Sequence, residues 1–269
     1  MFIQINDVNY YIEIQGEGEP LLLLHGFTGS SQIWHDLMNV CSSHCKVIAI
    51  DLIGHGQTGS PDIAERYQIK HQVADLHQLT RALNLDKFML LGYSMGGRIG
   101  LSLAMEDPDR ITALILESSS PGISDPDEKI ARYDQDVVLA ERILEKGVEY
   151  FVHQWESLPL FHTQQRLPAD IFRRQREIRL SHTKHGLANS LIGASIGCQT
   201  SWWDQLENFD VPTLLITGEL DQKFVSLNRL VDDKLPRSKH IQITQSGHTP
   251  HLENPTEFHQ AVIRCITNK

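Results

Sequence analysis

Short apolar runs punctuate the chain at Leu21–Leu24, Val47–Ile50, Phe88–Leu91, Ala113–Leu116, Thr213–Thr217 and His240–Ile243, bounded by Gly, Pro and Asp. Most have the length and continuity of strands buried on both faces of a mainly parallel sheet. The first fifteen residues, MFIQINDVNYYIEIQ, alternate instead and predict a strand. Between the runs the apolar spacing changes to three and four residues. Ile69–Leu83, Met95–Met105 and Phe258–Ile266 therefore predict helices, the second stopping at Asp107-Pro108. Strands alternating with helices predict a single α/β domain, a doubly wound, mostly parallel sheet flanked by helices.

The alternation lapses between about Ser120 and Trp203. That stretch holds charged amphipathic helix patterns at Ala131–Leu144 and Ile171–Leu180 and no clear strand. Helices inserted there would sit over the carboxyl ends of the strands, where α/β sheets bind ligands. The expected organisation is a core of 1–120 and 204–269 with a helical cap of about 121–203. Peripheral packing helices are the plainer alternative. The clustering of Trp155, Phe161, Trp202 and Trp203 with arginines favours the cap.

Charge narrows the partners. The chain has 24 Lys and Arg against 34 Asp and Glu, a net charge of −10. That surface disfavours nonspecific nucleic-acid or anionic-membrane binding, while a few local cations could still hold a small anionic substrate. Cys41, Cys45, Cys198 and Cys265 form neither a CxxC pair nor a zinc pattern, so reduced thiols and no metal are expected. The N-terminus lacks the basic and apolar regions of a signal peptide, and no run approaches the roughly 18 apolar residues of a spanning helix. A cytoplasmic protein without membrane insertion, monomeric or a small homo-oligomer, is expected.

Gly92-Tyr93-Ser94-Met95-Gly96 lies between a predicted strand and a predicted helix, the context a nucleophile elbow requires. The glycines permit a tight turn that lifts the Ser94 hydroxyl above the sheet edge. An ordinary Gly-rich turn is the plainer reading. In this fold an acid and then a histidine follow the serine. Asp221 comes just after Thr213–Thr217, and His248 just after His240–Ile243. Glu219 and His251 are their nearest competitors, and Asp221 could simply cap a helix. An oxyanion hole needs two backbone N–H donors. Met95, after the serine, supplies one, and Phe27, in the His25-Gly26-Phe27-Thr28-Gly29 loop, is the natural second. Asp51 to Gly56 adds a tight loop after another strand. Arg98, four residues after Ser94, shares its helix face and could point back at the site.

His25-Gly26, Asp51 to Gly56, the elbow, Asp221 and His248 resemble the α/β-hydrolase superfamily over essentially the whole chain, a likeness specific for fold rather than reaction. Gly97-Arg98 after the elbow, Trp155 to Phe161, Arg173 to Arg179, Gly186 to Leu191 and Lys223-Phe224 closely resemble one branch, the 2-succinyl-6-hydroxy-2,4-cyclohexadiene-1-carboxylate (SHCHC) synthases, the MenH family of menaquinone biosynthesis. The resemblance implies a lyase that eliminates pyruvate from 2-succinyl-5-enolpyruvyl-6-hydroxy-3-cyclohexene-1-carboxylate without a cofactor. It implies Ser94, Asp221 and His248 as the triad and Phe27 and Met95 as oxyanion donors. It further implies Tyr93, Arg98, Trp155, Phe161, Arg179 and Lys223 as pocket residues. The family usually places an Arg where this chain has Lys129, so either Lys129 or Arg132 would meet a substrate carboxylate. The run Arg173, Arg174, Arg176, Arg179 leaves its inward-facing member open by one turn. Two rival functions share these residues: a carboxylesterase, acyl hydrolase or C–C hydrolase using the triad covalently, and a noncatalytic binding protein on the same fold.

Overall fold

The computed structural model describes residues 1–267. Eight strands form one sheet: β1 (Phe2–Ile5), β2 (Val8–Gln15), β3 (Pro20–Leu24), β4 (Lys46–Ile50), β5 (Phe88–Tyr93), β6 (Ile111–Glu117), β7 (Thr213–Gly218) and β8 (Ser238–Ile243). Their order is β1-β2-β4-β3-β5-β6-β7-β8. From β4 to β8 all neighbours are parallel, and β2 runs antiparallel to β4 and β1. Each predicted apolar run is a strand. The alternating N-terminus is two strands rather than one, because Asn6, at φ +53°, turns the chain into a hairpin.

Burial explains why alternation is missing from the central runs. Leu22, Leu24, Ile48, Ile50, Leu90 and Leu114 pack on one face, with α2 (Ile69–Ala82) and α3 (Met95–Glu106). Leu21, Leu23, Val47, Ala49, Met89, Leu91 and Ile115 pack on the other, with α1 (His35–Cys41) and the C-terminal helix Pro255–Thr267. Side chains still alternate between faces, but both faces are dry. Truncating one of these leucines to Ala should cost roughly 2–5 kcal/mol.

Between β6 and β7 the chain forms an insert of helices: α4 (Pro126–Lys146), α5 (Val148–Glu156), a 3-10 segment (Pro159–Arg166), α6 (Ala169–Leu180) and α7 (Lys184–Gly193). Asp125 starts α4 by accepting from the N–H groups of Asp127 and Glu128, with Pro126 in the first turn. Gly147, at φ +85°, breaks α4 from α5. Ala140, Ile143, Phe151, Val152, Leu187, Ala188 and Leu191 give the insert its own small core, and Phe27 packs against both this core and the main one. Among the described residues no helix is long and apolar enough to cross a membrane.

Candidate active site

Parallel strands bring their carboxyl ends to one edge, and the loops after β3, β5, β7 and β8 meet there. Ser94 joins β5 to α3 at φ +50°, an unfavourable angle for any residue but glycine. Its surroundings hold it: the Ser94 N–H donates to Glu117 O at 2.9 Å, and its carbonyl accepts from Ser119 Oγ at 3.1 Å. A side chain at Gly92 would collide with the Gly96 backbone, and one at Gly96 with the carbonyls of Leu24 and His25. The flanking glycines are thus dictated by close backbone approach.

His248 donates from Nδ1 to Asp221 Oδ2 at 2.7 Å, and its Nε2 lies 3.3 Å from Ser94 Oγ. Both partners of the serine are buried. Asp221 also caps the next helix, α8 (Gln222–Asp232), its Oδ1 accepting from Phe224 N at 3.4 Å. The one carboxylate therefore meets both the helix N-terminus and the imidazole, one oxygen each. The competitors lie elsewhere. Glu219 is exposed and accepts from Gln245 N, and His251 pairs with buried Glu117 at 2.8 Å.

The His25–Gly29 loop turns through Thr28, at φ +66°, and closes with Gly29 N–H on Gly26 O at 3.0 Å. His25 pins it, with Nδ1 donating to Gly26 O and Nε2 accepting from Leu52 N. The His25 ring meets His55 at a tilt, and His55 meets edge-on His182, which bonds Thr28 O. Desolvation holds His25 and His182 down to about 4 and His55 well below its usual value, so all three are neutral supports. The N–H groups of Phe27 and Met95 have no partner among the described residues, and both residues line the cavity above Ser94.

That cavity, about 180 Å³, is also lined by Tyr93, Arg98, Arg132, Trp155, Phe161, Lys223, Phe224 and His248. Trp155 meets Phe27, Phe151 and Phe161 at ring distances of 5.4 Å, an aromatic wall from the insert. Trp202 and Trp203 do not join it. Their indoles bond Ser102 and Gly122, and they pack on the main core.

The cations divide into two groups. Arg98 reaches the cavity and donates to Gln199 Oε1 at 2.8 Å and Ala194 O at 2.9 Å. It forms no ion pair among the described residues. Burial pulls its pKa down to about 10, the nearby Arg132 charge acting in the same direction and the Asp136 carboxylate against it. Arg132 lines the cavity from α4, held by Asp136, which also accepts from Ser195. Lys129 does not line it. Lys223 stands exposed at the rim. Arg179 is the arginine of its run that turns inward, yet it does not line the cavity either. It is fully buried behind Phe161, donating to Glu156 at 3.1 Å and Gln164 at 2.9 Å, and Glu156 also takes Arg176. Two of its three guanidinium nitrogens are so engaged, and Nε is buried without a hydrogen-bond partner among the described residues. Sequence reasoning missed Gln164, Glu253, Glu117, Asp136 and Gln199, which hold the named residues in place. Only Glu117, a charge ending the apolar run of β6, carried any signal.

The α/β hydrolase fold family matches residues 19–255. A Bacillus subtilis (strain 168) protein, provisionally named as a 2-succinyl-6-hydroxy-2,4-cyclohexadiene-1-carboxylate synthase, is 44% identical over 99% of this chain and 98% of its own. The synthase of that name from Klebsiella pneumoniae (MGH 78578) is 32% identical over 93% of this chain and 94% of its own. The solved structure of MenH from S. aureus superposes with a TM-score of 0.90 at 33% identity, covering 96% of this chain and 98% of that one. An esterase from Thermogutta terrifontis superposes with a TM-score of 0.84 at 25% identity, covering 98% and 96%. The chain therefore belongs to the α/β hydrolase fold family, on the branch of the 2-succinyl-6-hydroxy-2,4-cyclohexadiene-1-carboxylate synthases.

Proposed function

We propose that this chain is an SHCHC synthase, a lyase of menaquinone biosynthesis that eliminates pyruvate from 2-succinyl-5-enolpyruvyl-6-hydroxy-3-cyclohexene-1-carboxylate, and that its insert caps the site. The observation that carries the reading is Arg98: a desolvated guanidinium in no ion pair among the described residues, in one cavity with Ser94, where the single nearby carboxylate, Asp136, is already taken by Arg132 and Ser195. A neutral ester gives such a cation nothing, whereas a substrate with three carboxylates compensates it. Arg132 and Lys223 line the same cavity and extend the field for the other carboxylates, Arg132 being favoured over Lys129 by its position.

The chemistry follows from the substrate's own acidity. The hydrogen on ring carbon 2 lies next to the succinyl ketone. Ser94 removes it as its own proton passes to His248, whose Nδ1–H stays on Asp221. The electron pair enters the ketone as an enolate, whose oxygen takes the N–H groups of Phe27 and Met95. Collapse moves the ring double bond, breaks the C5–O bond and leaves the 2,4-diene. Enolpyruvate departs, takes a proton equivalent to the one removed and tautomerises to pyruvate. Atoms balance without water, cofactor or acyl-enzyme. Tyr93, Trp155 and Phe161 keep the cavity apolar around the reacting carbons, which strengthens each charge interaction.

The esterase reading keeps the triad and makes Ser94 a nucleophile. The test is purified protein with the authentic substrate, following diene absorbance and pyruvate. Stoichiometric release with no solvent oxygen in either product is expected. A kinetically competent adduct on Ser94, or efficient hydrolysis of neutral esters without pyruvate, would overturn it.

A further inference from the structure

We propose that Gln199 is a positioning residue for Arg98: it aims the guanidinium with an acceptor that carries no charge, and so leaves the cation free for a substrate carboxylate. The proposal rests on the reading of Arg98 as a carboxylate-binding group. Arg98 Nη1 donates to Gln199 Oε1 at 2.8 Å, and Nη2 donates to Ala194 O at 2.9 Å. A guanidinium can only donate, so Oε1 must face it and the orientation of the amide is fixed. Both acceptors are neutral, and both belong to the loop after α7.

The same loop holds the nearby charge away. Asp136 acts on Arg98 electrostatically, yet both of its oxygens are engaged elsewhere. Oδ1 accepts from Arg132 Nε at 3.0 Å, and Oδ2 accepts from Ser195 Oγ at 2.7 Å. Ser195 lies between Ala194 and Gln199, and its hydroxyl is fixed in turn by Gly197 N–H at 3.0 Å. One loop therefore offers Arg98 two uncharged oxygens and turns the charged ones aside. The other inward-facing arginines have no such arrangement: Arg132 pairs with Asp136, and Arg179 with Glu156.

Glutamine is the poorer choice at 199 for the stability of the free protein. The residue is 4% exposed, and its Nε2 is buried with no hydrogen-bond partner among the described residues. An idle buried donor is destabilising, and a buried guanidinium without a counter-charge more so. A glutamate of the same length would remove the idle donor and supply the counter-charge. It would also occupy the cation and repel an incoming carboxylate. The two costs are offset only when an anion enters the cavity and meets an Arg98 that is already aimed and still fully charged.

The test uses Gln199→Glu, Gln199→Met, Arg98→Ala and the double variant Arg98→Ala/Gln199→Met in the full chain. Three quantities are read: kcat and KM for pyruvate release, Tm, and the rate at which a small fluorophosphonate modifies Ser94. The last is repeated with 2-succinylbenzoate, an unreactive aromatic dicarboxylate, to find the concentration that protects Ser94. Gln199→Glu should lower kcat/KM and raise the protecting concentration by about tenfold or more, the scale of a lost charge-assisted hydrogen bond, while Tm holds or rises. The unprotected modification rate should stay within about twofold, because it needs His248 but no carboxylate site. Gln199→Met, which keeps the charge and loses the aim, should show a smaller loss in the same direction. The double variant should be no worse than Arg98→Ala alone, since residues acting through one group are not additive. Wild-type binding in Gln199→Glu, or additive losses in the double variant, would overturn the proposal. If Arg98→Ala itself binds and turns over normally, the carboxylate reading of Arg98 fails and takes the proposal with it. If the unmodified chain releases no pyruvate, the reaction assignment fails while the protection measurements still decide the role of Gln199.

Discussion

The two ends of the cavity are built differently. The base end stands on the sheet: Ser94, Asp221 and His248 each follow a strand, and three buried neutral histidines brace the neighbouring loop. The cationic end hangs between core and insert: Arg98 comes from α3 but donates to Ala194 and Gln199, and Arg132 comes from α4. One end is fixed by strand geometry that the whole superfamily shares. The other depends on which insert the fold carries. The geometry of the reacting groups and the choice of substrate thus have separate foundations, which accounts for an esterase superposing on this chain with a TM-score of 0.84.

Removing Ser94 separates the ends most sharply. Ser94→Ala should lower kcat by roughly 10³-fold or more while Tm and substrate binding hold, and adding His248→Ala should cost little further, since such groups act as a unit. Steady-state kinetics of both variants check this, and near wild-type kcat in Ser94→Ala would refute the base assignment. At the cationic end, Arg98→Ala should weaken kcat/KM by roughly 2–5 kcal/mol, the range for a buried charge contact. Loss of thermal stability alone would make Arg98 a strut between α3 and the insert.

Acid should attack the base end through its supports. His25 and His182 are held to about 4 in the fold against 6.5 unfolded, so between those values the unfolded chain binds more protons. Stability is then fully present above about 6.5 and falls as pH drops, by up to about 1.4 kcal/mol per unit for each histidine. Urea titrations at pH 7, 6 and 5 would show the slope, and His182→Gln should flatten it. The smallest effect belongs to exposed Lys223. Lys223→Ala should change kcat/KM by about 1 kcal/mol or less, and by less still at high salt.

The same division governs what could be read from residues alone. The base end was readable because each piece is local: Gly92 to Gly96, Asp221 and His248 sit at fixed offsets from apolar runs. The cationic end was not, because its geometry depends on helix rotation and long-range partners. Arg179 has the inward position the resemblance suggested, but Glu156, 23 residues earlier, claims it. Lys129 and Arg132 lie on one helix, and only packing against α7 and the loop after it decides which lines the cavity. Gln164 gives no sequence signal, since a buried glutamine is defined by its neighbours. The N-terminal hairpin did leave a mark in the residues: the apolar phase shifts from Ile3 and Ile5 to Val8, Tyr10 and Ile12 across the polar pair Asn6-Asp7, where the chain turns.

Strands β6 and β7 are paired neighbours, so the insert leaves and rejoins the sheet at adjacent points. Such a segment looks exchangeable between relatives as a cassette, with the junctions after Glu117 and before Thr213. The seam says otherwise: Thr163 of the insert packs against Gly247, and Gln164 donates to Thr249 Oγ1 at 2.9 Å. A chimera that takes only the foreign helices would inherit a new binding end while losing the grip on residues 247–249. Grafting for altered specificity should therefore move the Gly247–Glu253 loop together with the helices that touch it.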